Sequence, residues 1–198
     1  LREGGGEALA GGATLGGSQW GGRLAYRLNA DPAQPLAAVG RVYSPLHGGG
    51  AEAALGLEWQ PLASLPVRAL AERRVALEHG GRNAFSLLAH GGVSGRRVTG
   101  PMLLDAYGQA GIVGLRSRDA FVDGVVTLSM PVENWIQAGL GVWGAAQPGA
   151  SRLDAGPQLS VVLPLSGVNA RLSGAWRVRL AGDATPGSGP ALTLGTDF

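Results

Sequence analysis

The sequence predicts an all-β protein: an antiparallel up-and-down transmembrane β-barrel of about 12 strands, 11 of them readable. Three observations predict it. Apolar and polar residues alternate with period two along most of the chain. The alternating segments are mostly 10 to 14 residues long. Short turns rich in glycine, proline and asparagine separate them.

The first clear strand covers 18–29. Trp20, Gly22, Leu24, Tyr26 and Leu28 share one face, and Arg23, Arg27 and Asn29 share the other. After Asn29-Ala30-Asp31-Pro32 a second strand is expected over 35–45, carrying Arg41. His47-Gly48-Gly49-Gly50 then leads into 51–60, where Leu55, Leu57 and Trp59 oppose Glu52 and Glu58. Further strands are expected over 66–78, 83–91, 101–115, 119–130, 135–146 and 151–163. Pro157 lies inside one of them and implies a bulge or bend. Over 168–180, Leu172, Trp176, Val178 and Leu180 oppose Arg171, Arg177 and Arg179. The final strand, 189–198, sets Leu192, Leu194, Thr196 and Phe198 on one face. Residues 1–17 read as a glycine-rich linker or a weak first strand near Glu7 to Leu15, and 18–198 as the barrel.

Composition narrows the class. Glycine supplies 35 of 198 residues, too many for a long helical bundle, because each glycine in a helix costs about 1 kcal/mol. With no cysteine, disulfide frameworks and thiolate metal sites are excluded. The net charge is +2 and the basic residues, all arginine, are scattered with no run longer than two, so nucleic acid is not an expected partner. The chain starts at Leu1 without an initiator methionine, which suggests a mature piece or fragment of a longer protein.

Alternation alone does not say which face meets water. A soluble barrel turns its apolar face inward; a membrane barrel turns it to lipid and lines its lumen with the polar face. Strand length favours the membrane, since a tilted spanning strand needs ~9–11 residues against ~5–6 in soluble sheets. Charge deep inside strands agrees: Arg23, Arg27, Glu52, Glu58, Arg68, Glu72, Asp105, Asp123, Asp154, Arg171 and Arg177 share the less apolar parity. Trp20, Trp59 and Phe198 sit near strand ends on the apolar parity, as interface aromatics do. The expected location is therefore the bacterial outer membrane, with its lipid as partner. The terminal strand ending in Phe198 resembles the last strand of bacterial outer-membrane barrels, which implies the barrel assembly machinery as a second partner.

Closure needs an even strand count. A twelfth strand would come from Glu7 to Leu15 or from chain further upstream. With the last strand running toward the periplasm, the turns around His47–Gly50, Gly80–Asn83, Arg116–Asp119, Gln147–Ser151 and Gly182–Gly189 lie outside the cell.

The lumen charges carry the functional expectation. Arg23, Arg27 and Arg41 come from the first strands and Arg171, Arg177 and Arg179 from the penultimate one, so closure makes them an arginine-rich wall. Glu52, Glu58, Asp105, Asp119 and Asp123 come from the middle of the chain and face it as an acidic wall. Opposed walls orient polar solutes and suit a passage for ions or anionic polysaccharide. The plainer reading is that pairs such as Arg68 with Glu72 fill and stiffen a narrow lumen. No catalytic site is expected. Ser86 and His90 share a strand face about 13 Å apart, too far for a nucleophile and its base. His47 and His79 lie in turns, no metal-ligand spacing links the histidines, and no cofactor is expected.

Leu15–Gly21, Gly50–Pro61, Ala71-Glu72-Arg73-Arg74 and Gly187–Gly195 together resemble the C-terminal barrel of tetratricopeptide-containing outer-membrane proteins. That family includes phage-adsorption receptors and is similar in layout to exopolysaccharide exporters. The resemblance implies an upstream periplasmic helical repeat domain and an envelope anchor and passage linked to exopolysaccharide export or surface adsorption. A plugged anchor or phage or partner receptor without transport, and a soluble β-barrel binding protein, are the alternatives.

Overall fold

The computed structural model describes residues 15, 17–165 and 168–197. These form β1 (Gln19–Arg27), β2 (Leu36–Pro45), β3 (Glu52–Trp59), β4 (Val67–Ala76), β5 (Ala84–Thr99), β6 (Met102–Val113), β7 (Asp119–Glu133), β8 (Ile136–Gln147), β9 (Ala150–Leu165), β10 (Val168–Ala181) and β11 (Gly189–Asp197). No helix occurs among the described residues. All 11 strands join one sheet in chain order, each antiparallel to the next. Of the linker or weak first strand expected near Glu7 to Leu15, residues 7–14 lie outside the described residues, as does the terminal Phe198.

An up-and-down meander fixes the ends. The turns after β2, β4, β6, β8 and β10 gather at one end, called upper here; those after β1, β3, β5, β7 and β9 gather at the lower end. The upper turn after β2 uses Gly48, Gly49 and Gly50 at φ of 90°, 74° and 100°, a region that β-carbons disfavour.

The sheet is curved. Arg171 on β10 and Asp105 on β6 form an ion pair at 3.9 Å. Four strand spacings in a flat sheet would hold those strands about 19 Å apart. Side chains of β1, β2, β6 and β7 line a common cavity on the concave side. Among the described residues the sheet stays open, because β1 and β11 each have only one neighbour there.

Register assigns each parity to a face. Arg23 pairs with Arg41, Arg41 with Ala54, Glu58 with Leu70, and Leu70 with Leu88, which puts all of these on the concave side. Burial along the strands is inverted relative to a water-soluble sheet. Glu52, Glu58, Glu72, Arg74, Arg152 and Asp154 are buried, whereas Leu24, Leu55, Leu140 and Leu192 on the convex side are 78%, 74%, 67% and 76% exposed. Among the described strand residues Arg73, Arg96 and Glu133 bring charge to the convex parity, and all three lie near strand ends. Arg73 rests over the Phe85 ring, 5.0 Å from its centroid.

Two expectations need correction. The fifth strand runs on to Thr99 rather than stopping near 91. Its register against β6 shifts between Val93 and Arg96, where Gly95 has φ of 61°, so the extra residue hides the alternation. Pro157 causes no register shift: β9 meets β10 in the same register on both sides, with Gly156 and Pro157 simply leaving the ladder, and the irregularity falls at Arg179/Ala181. Gly156 is required there, since a β-carbon would collide with the Trp176 carbonyl oxygen.

Candidate functional site

The concave side of β1 to β5 is organised around carboxylates. Glu58 on β3 accepts from Arg23 Nη2 at 2.5 Å and Arg68 Nη1 at 3.4 Å, with His90 Nε2 2.8 Å away. One turn of pleat higher, Glu72 on β4 accepts from Arg41 Nη2 at 2.5 Å and Ser86 Oγ at 2.8 Å, with Arg74 Nε forming an ion pair 3.4 Å away. Arg74 also reaches Glu52 at 3.4 Å, and Glu52 accepts the Arg82 backbone N–H at 2.7 Å. Period two explains the stacking: Glu52, Glu58, Glu72 and Arg74 occupy concave positions two or more residues apart on adjacent strands. Arg23, Arg41, Arg68, Ser86 and His90 come from strands one or two places away from the carboxylate they meet, so the network braces the curvature of this part of the sheet.

Against these polar groups packs an apolar cluster of Val39, Leu70, Leu88, Val113 and Phe121, all buried and all concave. It fills the space enclosed by β2 to β7. Below it opens a cavity of about 620 Å³, lined by Arg23, Arg41, Arg68, His90, Asp105 and Tyr107 among others.

At the upper end of β9 and β10, Asp154 is fully buried and accepts from Arg152 Nε and from Arg179 Nε, the latter at 3.0 Å. Both arginines also hold the turn after β10. Arg152 Nη1 donates to the Pro186 carbonyl at 2.9 Å; Arg179 donates to the carbonyls of Gly182, Ala184 and Pro186 at 3.1, 2.5 and 2.8 Å. The turn is thereby drawn inward, and Ala184 is buried.

The concave side of β8 to β11 is different. Gly139, Gly141, Ser160, Ser173, Ala175 and Thr193 line it, with Ser160 and Ser173 hydroxyls 2.9 Å apart. Trp143 lies over Gly141, and Arg177 stacks on the indole at 4.5 Å.

The residues singled out from sequence fall as follows. Arg23 and Arg41 are joined to Glu58 and Glu72 rather than standing apart from acidic groups. Arg68 pairs with Glu58, not with Glu72 as anticipated. Arg171 meets Asp105, which also accepts from Ser94 Oγ at 2.6 Å and the Gly95 N–H at 2.9 Å. Arg179 is bound to Asp154 and Asp119 to Arg82 at 2.7 Å, both at the upper rim. Asp123 accepts from Gln109 Nε2 at 3.3 Å. Arg27 is exposed at the lower end of β1. Trp20 and Trp59 lie on the convex side at opposite ends, 53% and 45% exposed. Ser86 and His90 bind different carboxylates, Glu72 and Glu58. Among the described residues, no group of three acidic or histidine side chains is placed to hold a metal ion. Arg74, Arg152 and Trp143 were not singled out from sequence. Their parity marks them as concave, but their partners are on other strands and cannot be read locally.

No protein-family model, curated protein or solved structure was found to match the chain.

Proposed function

We propose that the chain is a transmembrane β-barrel of a bacterial outer membrane, an envelope anchor with a polar passage, serving surface-linked export or adsorption. The observation that carries the reading is the inverted burial. Arginines, glutamates and Asp154 are enclosed, while leucines, valines and tryptophans cover the convex face. In water each large apolar side chain left outside forgoes ~1.5–3 kcal/mol of burial; against lipid that cost vanishes. The convex aromatics support it further. Trp20, Phe85 and Trp176 lie toward the upper ends of their strands and Tyr26 and Trp59 toward the lower ends, with Trp135 exposed in the lower turn between β7 and β8, the arrangement of two interfacial girdles.

The reading routes the passage along the wall of β8 to β11, past Arg171 and Arg177, where Gly139, Gly141, Ser160 and Ser173 share the concave face. The packed half next to β2–β7 braces the wall. Reversing Arg171 and Arg177 to glutamate in reconstituted protein tests this. Reversal potentials are expected to move toward cation selectivity; unchanged potentials in folded, conducting variants contradict the passage. The second reading, a plugged anchor or receptor without transport, is favoured by the apolar cluster and the inward-drawn 182–188 turn. It requires that the folded protein not conduct at all.

A further inference from the structure

The upper turn after β10, residues 182–188, is fastened in two places. At its base the Asp183 and Ala184 N–H groups donate to the Ser151 carbonyl at the rim of β9, at 3.1 and 3.0 Å. At its tip the Ala184 and Pro186 carbonyls accept from Arg179 Nη2 at 2.5 and 2.8 Å, and Pro186 also accepts from Arg152 Nη1 at 2.9 Å. Both guanidiniums use their Nε groups on Asp154 and turn their outer nitrogens to the turn. Asp154 and Arg179 are ladder partners on the concave side, so the tip is drawn across that side and not out along the strands. Arg177, stacked on Trp143, lies two residues below Arg179 on the same face of β10. The fastened tip and the proposed passage therefore share one column.

We propose that the 182–188 turn is a gate across the upper mouth of the passage, latched by Arg152 and Arg179, with Asp154 as the positioning residue that aims both. The proposal rests on the passage reading above and adds its regulation. Three features make the turn a moving part and not a fixed plug. Gly182-Asp183-Ala184-Thr185-Pro186-Gly187-Ser188 holds no leucine, valine or aromatic side chain to root it in the interior. The apolar cluster is built from β2 and β4 to β7, so lifting the turn uncovers none of it. The latch itself is made of charge-assisted bonds to neutral carbonyls, which water can replace at the mouth. When the tip lifts, both arginines stay paired with Asp154, and no enclosed charge loses its partner. The turn thus has two arrangements on an unchanged sheet.

Single-channel recording of the full chain in planar bilayers tests it, with heat-dependent gel mobility as the check on folding. Three proteins are compared: the unaltered chain, Arg179→Gln, and a shortened turn lacking residues 184–187, which removes the latched carbonyls and leaves both arginines in place. The unaltered chain is expected to step between a predominant closed level and one open level. Arg179→Gln is expected to raise the open fraction roughly tenfold or more at the same open conductance, since each bond to a charged donor is worth at least that factor. The shortened turn is expected to stay at the open level. If Arg179→Gln does not fold, the shortened turn decides alone: steps of the unaltered chain to its level support the gate. Equal conductance and open fraction in the unaltered chain and every folded variant overturn the gate and leave the passage standing. An unaltered chain that never opens beside a shortened turn that conducts makes the turn a fixed plug and overturns the gate. Silence from all folded forms, the shortened turn included, overturns the passage reading, and the gate with it.

Discussion

Glu58 and Asp154 perform similar tasks in different surroundings. Glu58 gathers Arg23, Arg68 and His90, but the Arg23 and Arg68 side chains remain 39% and 46% exposed, so water shares the load. Asp154 is fully enclosed and its Arg152 partner nearly so. Removing one partner of an enclosed pair leaves the other charge buried. Asp154→Asn is therefore expected to cost about 3–5 kcal/mol. Glu58→Gln, with its partners free to turn to water, is expected to cost only about 1–2 kcal/mol. Equilibrium unfolding in detergent or bilayers reads both, and the reverse ranking would mean that wetness does not govern this interior. The convex face gives a sharper residue-level test. Leu140 is 67% exposed near the middle of β8. If it faces the bilayer midplane, Leu140→Arg costs roughly 2–4 kcal/mol. On a water-facing surface the same change would fall within about 0.5 kcal/mol of neutral.

At the scale of the element, β9 and β10 show where sequence periodicity stops being informative. Their alternation was legible and so was their pairing as neighbours, because period two and short turns admit little else. The pinch at Gly156 was not, since it depends on how closely the Trp176 carbonyl of β10 approaches. Gly156→Ala is expected to destabilise by about 1–3 kcal/mol, whereas Gly174→Ala on the adjacent strand, with open space around it, stays near neutral. Equal effects in the same unfolding assay would remove the close approach as the reason for Gly156. The missed half of β5 has a different cause: the shift around Gly95 puts consecutive residues out of phase, so Arg96 turns outward although its number has the parity of inward His90. Ion partners were illegible for a third reason. Parity says that Arg74 and Arg41 face the concave side, but only the relative heights of β2, β3 and β4 decide that both meet Glu72. The apolar cluster was hidden likewise: Val39, Leu70, Leu88, Val113 and Phe121 occupy the polar parity of five different strands and look like isolated exceptions in each.

For the whole molecule, one contrast organises the rest. On the proposed reading, enclosed charge and exposed leucine belong together because lipid covers the convex side, and every strand contributes apolar residues to that face. Among the described residues the sheet is curved enough to bring Arg171 of β10 to Asp105 of β6, and it is open between two descending edges. The most direct test is the gel mobility of detergent-folded protein, unheated against boiled, beside a sample refolded without detergent. A faster unheated band that forms only with detergent or lipid is the predicted result. Monodisperse, soluble protein without detergent, with identical mobility before and after boiling, would contradict the membrane barrel.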